Sequence, residues 1–276
     1  KREGHDARRF YSRRMVRSAP AARPGPPVAP PVEVLDRLIC RSSEAMEELP
    51  DDCVALMVTS PPYNVGKEYD ADLSLEEYLG LLKRVLSETY RVLEPGGRVA
   101  VNVANLGRRP YLALNHRVAA LLEDLGFLLR GEIVWQKAQG AGGSCAWGSW
   151  CSARNPTLRD VHEYVVVASK GSLRRLRLGE DTISRDEFLE ATVSVWNIAP
   201  ASARRIGHPA PFPVELPRRL IELYTFSGDL VLDPFMGSGS TAVAAAEAGR
   251  HFVGYETEPA YLEIARARVA AARGTA

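Results

Sequence analysis

At 276 residues, 46% hydrophobic and 25% charged, the chain has the makeup of an ordinary globular protein, long enough to bury a core without disulfides or structural metals. A formal net charge of +1 gives no overall pull toward nucleic acid or an acidic surface, so any such partner must be read from where the charges lie. No apolar run approaches about 18 residues, which excludes a spanning helix, and no signal-peptide core is present, so the expected location is the cytoplasm.

Residues 1–31 carry eight Lys and Arg against two acids and run into a Pro-rich tract from Ala19 to Pro27. Such a composition cannot pack a core and predicts a disordered arm. From 32 to 136 apolar runs alternate with helical periods. Val32 to Ile39 reads as a short strand and Ser43 to Leu49 as a helical turn. Val54 to Val58 is an unbroken apolar run of the kind buried on both faces of a sheet. It stops near Pro61 and Pro62, which have no N–H to extend a ladder. Ser74 and Glu77 form a capping box ahead of Leu75, Tyr78, Leu79, Leu82, Val85, Leu86 and Tyr90 at helical spacing. Pro95-Gly96-Gly97 ends that unit before a strand from Arg98 to Val103. This strand–helix–strand crossover predicts a parallel sheet. A helix from Asn115 to Leu125 and a strand from Phe127 to Trp135 follow.

Residues 137–205 differ in character. Lys137 to Asp160 is rich in Gly, Ser and Trp and carries Lys137, Arg154 and Arg159. Glu163 to Ala168 reads as a strand, and from Lys170 to Arg205 no period is long enough to define an element. Arg174, Arg175, Arg177, Arg204 and Arg205 cluster at the ends of that stretch, which marks 137–205 as a candidate partner-reading lobe beside a final sheet strand. Residues 206–276 regain regularity. A stiff hinge from His208 to Pro213 leads to a helix from Val214 to Tyr224, a strand from Asp229 to Asp233 and a Gly-rich turn. A helix from Thr241 to Ala248, a strand from His251 to Glu256 and a helix from Pro259 to Ala272 complete the chain. Cys40, Cys53, Cys145 and Cys151 include no CxxC pair or zinc-spaced set, which points to a reducing compartment and no metal.

Two stretches carry chemistry. Ser60-Pro61-Pro62-Tyr63 puts a hydroxyl, a rigid dipeptide and an aromatic ring on a stiff loop at a strand's end, a pocket suited to a flat, amine-bearing ring. An ordinary Pro-rich turn fits that stretch equally well. From Asp229 to Glu256, Gly237 and Gly239 open a helix where backbone can approach a ligand, and Glu256 ends the next strand as an acceptor for ribose hydroxyls. A lone Gly-x-Gly is also what any tight strand-to-helix turn requires.

The longer strings are more specific. Thr59-Ser60-Pro61-Pro62-Tyr63, followed far downstream by Asp233-Pro234-Phe235-Met236-Gly237-Ser238-Gly239-Ser240-Thr241, resembles the DNA amino-methyltransferases of the β group, in which the catalytic motif precedes the cofactor motif. The resemblance covers roughly 32 to 272 and extends to His208-Pro209-Ala210-Pro211-Phe212-Pro213. It implies a Rossmann-like α/β methyltransferase fold: a seven-stranded, mostly parallel sheet with one antiparallel strand, plus a small target-recognition lobe. Residues 32–136 would be the catalytic half and 206–276 the S-adenosyl-L-methionine half. In those roles Asp233 would meet the methionine amino group, and Glu256 the ribose. Phe235, Gly237, Ser238, Gly239, Ser240 and Thr241 would line the cleft. Pro211, Phe212 and Pro213 would wall the methionine end, with His208 touching the cofactor. Where the family often has Gly-Asp after the first strand, this chain has Arg41-Ser42-Ser43, so Ser42 is the candidate to replace the adenine-side carboxylate.

The implied reaction is methylation of an exocyclic amine on a flipped-out base. Tyr63 would stack on the base while Ser60 Oγ and the Pro61 carbonyl accept the amine hydrogens. Ser in place of Asp at the first motif position is commoner among cytosine-N4 than adenine-N6 enzymes, so cytosine is the expected base. DNA is the expected partner, read by Trp135, Lys137, Arg154, Arg159, Arg174, Arg175, Arg204 and Arg205, with Trp147, Trp150 and Trp196 as further stacking candidates. The resemblance also admits a homodimer and a companion restriction endonuclease. A protein glutamine methyltransferase would carry Asn at the first motif position. A ring-carbon methylase would need a Pro-Cys pair, and a deaminase His-x-Glu with Pro-Cys-x-x-Cys.

Overall fold

The computed structural model describes residues 25–62, 73–106, 110–137, 148–207 and 211–274, the side chains of Ala203 and Arg205 excepted. Among the described residues, eight strands form one sheet: β1 (Arg37–Cys40), β2 (Val54–Thr59), β3 (Leu93–Val103), β4 (Phe127–Lys137), β5 (His162–Lys170), β6 (Val195–Ile198), β7 (Leu230–Asp233) and β8 (His251–Glu256). Their order is β1-β8-β7-β2-β3-β5-β4-β6. Strand β5 runs antiparallel to both β3 and β4, and every other pairing is parallel. The seven expected strands are joined by an eighth, β6, at the far edge.

Helices cover both faces. Helices α1 (Leu75–Val92) and α2 (Leu114–Asp124) lie on one. On the other are α3 (Arg185–Ala191), α5 (Glu215–Tyr224), α6 (Ser240–Glu247) and α7 (Pro259–Gly274), with the short α4 (Ala203–Ile206) between α3 and α5 in the chain. Alternate residues of one strand serve the two cores: Met57 packs with Leu82, Val85 and Leu122, while Leu56 and Val58 pack with Leu216, Leu220 and Val243. That two-sided burial explains why β2 reads as a continuous apolar run.

Helix α1 begins at the expected capping box, with Ser74 N–H donating to Glu77 at 2.8 Å and Glu77 N–H to Ser74 Oγ at 3.2 Å. It ends differently from expectation. Pro95-Gly96-Gly97 is not a terminating loop but part of β3, which starts at Leu93 and shifts register against β2. The bulge suits Gly96, whose φ is +78° and whose added β-carbon would lie 2.0 Å from the Arg174 carbonyl oxygen. The helical turn expected at Ser43 to Leu49 is non-helical, and the strand expected over Val32 to Ile39 is a 3-10 turn at Val32–Val34 followed by β1. Edge strand β1 is held to the final helix, where Arg273 reaches Asp36 at 2.6 Å. Within the expected arm, Val28 is pinned by its N–H to Asp52 O at 2.9 Å and by Arg177 to its carbonyl at 3.0 Å; residues 1–24 lie outside the described residues. No helix among the described residues is long and apolar enough to cross a membrane.

Candidate active site

Strands β2 and β7 are neighbours, yet the crossover leaving β2 leads away to β3 and the one leaving β7 leads the opposite way to β8. Loops at the carboxyl ends of such a pair diverge and leave a crevice. Its floor is a direct bond: Thr59, last in β2, donates its Oγ1 hydrogen to Asp233 Oδ1 at 2.7 Å, and Asp233 ends β7. Ser60 and Asp233 thus flank one cleft although they come from opposite ends of the chain. Pro61 is buried and Pro62 half-buried behind Ser60. Tyr63 lies outside the described residues, as do His208, Cys145 and Trp147.

The buried Asp233 carboxylate is the hub of the glycine-rich loop after β7, the loop expected to hold the cofactor. Besides Thr59 it accepts from Thr241 Oγ1 at 2.6 Å and from Phe235 N–H at 3.1 Å. Burial nevertheless pushes its pKa up to about 6, against the pull of those donors, with the nearby Glu256 charge adding to the rise. Glu256, at the tip of β8, accepts Gly237 N–H at 2.8 Å on one oxygen and Glu258 N–H at 2.9 Å on the other. Each oxygen keeps room for one more donor. Met236 N–H ties the loop to Tyr255 O at 3.0 Å, and Arg268 of α7 donates to Ser238 O at 2.5 Å. Ser240 Oγ donates to Phe212 O at 2.8 Å, which joins the Pro211–Pro213 hinge to the same loop.

Several expected roles change. The side chains of Ser238, Ser240 and Thr241 are buried and bonded inward, so they build the loop rather than line the cleft. Gly239, at φ +78°, turns its bare Cα toward Ala265 of α7, which makes it a packing glycine. Phe212 is a core residue beside Leu216 and Leu220, while Pro211 and Phe235 are half-buried at the loop. Ser42 is exposed and donates to Glu44 at 3.0 Å; its neighbour Ser43 is the residue that reaches the cofactor loop, donating to Pro234 O at 2.8 Å.

The expected DNA-reading set divides sharply. Trp135 is only 2% exposed and donates its indole N–H to Ile198 O at 2.9 Å, so it packs the core and is not a stacking platform. Trp196 is likewise buried. Lys137 is ion-paired to Glu163, which makes it a support for the site. Arg175 is spoken for: its side chain is 5% exposed and bridges Glu94, at 2.6 Å, and Asp229. Burial would lower its pKa, but the two carboxylates raise it overall. Arg174 is exposed but sits against Gly96 near the start of β3, at the end of the sheet opposite the cleft. Arg154 and Arg159 are exposed on the segment before β5, and Arg204 on α4 after β6; all three follow or precede strand ends on the cleft side. Trp150, on the same segment, is 75% exposed.

Two residues escaped the sequence reading. Asn102 of β3 donates its Nδ2 hydrogens to Ser60 Oγ at 3.3 Å and to Glu163 Oε2 at 2.7 Å, and Glu163 of β5 takes Lys137 on its other oxygen. The signal was a polar residue inside each of two strands buried on both faces, where polar groups require partners.

The donor set fits S-adenosyl-L-methionine. Glu256 offers acceptors suited to a ribose diol, Asp233 a carboxylate suited to an ammonium, and the first turn of α6 N–H groups without helical partners, suited to a carboxylate. Comparison with known proteins agrees. The family model described as DNA methylase, for N6 and N4 amine methylation, matches residues 54–267. The type II methyltransferase M.MthZI of Methanothermobacter thermautotrophicus is 32% identical over 270 residues, covering 84% of this chain and 76% of that protein. The Thermus thermophilus protein TTHA0409, solved in complex with S-adenosyl-L-methionine, is 29% identical with a TM-score of 0.69 over 86% of this chain and 93% of its own. The PvuII cytosine-N4-specific DNA methyltransferase, 20% identical, shares the fold with a TM-score of 0.66 over 84% and 85% of the two chains. With the Ser-Pro-Pro loop ahead of the glycine-rich loop in the chain and both at one crevice, the chain belongs to the DNA methylase family, as a β-group amino-methyltransferase.

Proposed function

We propose that the chain methylates the exocyclic N4 amine of a cytosine rotated out of duplex DNA. The observation that carries this reading is the serine at the mouth of the crevice, coupled to the cofactor loop through Thr59 and Asp233. When bound, S-adenosyl-L-methionine supplies a methyl group made electrophilic by its sulfonium. The protein's task is then to hold a weak nucleophile. The lone pair of a base amine is delocalised into the ring, and accepting both amine hydrogens favours a pyramidal nitrogen. Ser60 Oγ and the Pro61 carbonyl are the acceptors in this reading, and Tyr63, two residues further on, is the stacking ring. Serine in place of aspartate at this position is what favours cytosine over adenine in this reading. Asp233 meets the methionine ammonium with its remaining acceptor capacity, and Glu256 the ribose. Arg154, Arg159 and Arg204 contact phosphates along the cleft rim, and Trp150 is the exposed aromatic beside them.

The test is incubation with isotopically labelled cofactor and duplex DNA, then digestion and chromatography of the nucleosides. Label in N4-methylcytosine supports the reading. Label only in N6-methyladenine overturns the base assignment, and label in added protein but not in DNA overturns the substrate class.

A further inference from the structure

We infer that Asn102 is a positioning residue that sets the hydrogen-bonding role of Ser60, and that Glu163 and Lys137 set the role of Asn102; this rests on Ser60 being the amine acceptor proposed above. The four side chains form one line across three strands. Lys137 closes β4, Glu163 is the second residue of β5, Asn102 lies near the end of β3, and Ser60 follows β2. Asn102 is 2% exposed and Glu163 6%, so the line runs inside the protein and ends at the cleft.

An asparagine amide can present either its oxygen or its NH2 group to a neighbour, and the two ends have opposite consequences. Here the choice is forced. A carboxylate accepts but does not donate, so Glu163 Oε2, at 2.7 Å, turns the NH2 end of Asn102 toward itself. The second hydrogen of that NH2 group then points at Ser60 Oγ. Lys137 compensates the charge that this arrangement places inside the protein, and its ammonium lies 5.2 Å from the Trp135 ring centre, which holds its stem in place.

The consequence for Ser60 is specific. A serine oxygen accepts at most two hydrogen bonds, and Asn102 supplies one donor. The hydroxyl cannot give its hydrogen to Asn102, so toward Asn102 the Ser60 oxygen accepts and its own hydrogen is directed elsewhere, which fixes how its lone pairs are aimed. In the proposed reading one amine hydrogen meets that oxygen and the other the Pro61 carbonyl. The 3.3 Å separation is long for a strong bond, as is common for such contacts before substrate closes the site.

A paired exchange separates positioning from mere structure. Asn102→Asp together with Glu163→Gln keeps the total charge and lets the two side chains bond again, with the amide now donating from position 163. The buried polar pair is satisfied, but Ser60 now faces an acceptor, so its hydrogen turns toward position 102 and its lone pairs are re-aimed. The expected result is cofactor affinity and melting temperature close to wild type with kcat down roughly ten- to hundredfold, the size of effect a misplaced catalytic group produces. Wild-type kcat in the exchanged protein would overturn the inference. Glu163→Gln alone provides a second measure, since it frees Asn102 to turn over: kcat should fall with KM for cofactor unchanged, and an unaltered kcat overturns the inference too. The unmodified protein run alongside distinguishes the two failures, because absence of methyl transfer there removes the proposed function itself.

Discussion

Gly239 and Ala265 lie so close that a β-carbon on the glycine would fall 2.8 Å from the β-carbon of Ala265 and 3.1 Å from its Cα. The glycine begins α6 at φ +78°, so its substitution meets both a backbone and a packing penalty. Gly239→Ala should cost about 1–2 kcal/mol for the left-handed backbone and about 1–3 kcal/mol for the collision with α7. Chemical denaturation would show the loss. Cofactor affinity should fall with it, because Arg268 of that same helix holds Ser238.

In the role proposed for it, Asp233 makes cofactor binding depend on pH. Its pKa in the folded protein, about 6, is raised from 3.8, so the folded state holds this proton more tightly than the unfolded one. This carboxylate's contribution to stability therefore falls as pH rises from about 4 to about 6. Attraction for the methionine ammonium moves the other way and grows as the carboxylate ionises. Calorimetric titration with S-adenosyl-L-methionine should show affinity climbing as pH passes through about 6. Asp233→Asn should bind weakly and without that climb, while gaining stability relative to wild type at pH values above the transition.

Ser60→Ala should reduce turnover about a hundredfold or more while leaving cofactor affinity unchanged, since in the proposed reading the hydroxyl serves the base and not the cofactor loop. Single-turnover methylation and equilibrium cofactor binding, measured on the same preparation, would check the split. Equal loss in both would place Ser60 in the cofactor site.

The arginines should separate by assay. Arg175→Ala strands Glu94 and Asp229 without their shared partner and should cost about 3–5 kcal/mol of stability, with DNA affinity unaffected in the folded fraction. Arg154 and Arg159 replaced together by Ala should leave the melting temperature in place. They should weaken DNA binding across sequences and lower the slope of log affinity against log salt by about two.

Much of this molecule was legible from its residues because local signals and burial agreed. Ser74 with Glu77 announced α1, and the apolar run at Val54 announced a central strand. The same capping signal at Ser184 and Glu187 opens α3, but only seven helical residues follow, too few to show a period. Strand β6 is four residues long and half of it faces outward, which leaves no apolar run to detect. Charge proved the poorest guide. Arg174, Arg175 and Lys137 look alike as basic residues in a sequence, yet one is exposed on the far end of the sheet, one joins two carboxylates and one serves Asn102 through Glu163. Which cation meets solvent depends on carboxylates distant in the chain, and no local pattern encodes that.

The contact of Arg273 with Asp36 sets α7 beside β1, so the two ends of the described chain lie together at one edge of the sheet. Tethering residue 274 to residue 32 and cutting the backbone between Ala199 and Pro211 would put the glycine turn ahead of the Ser-Pro-Pro loop with every strand keeping its neighbours. Such a circular permutant should fold and modify the same base.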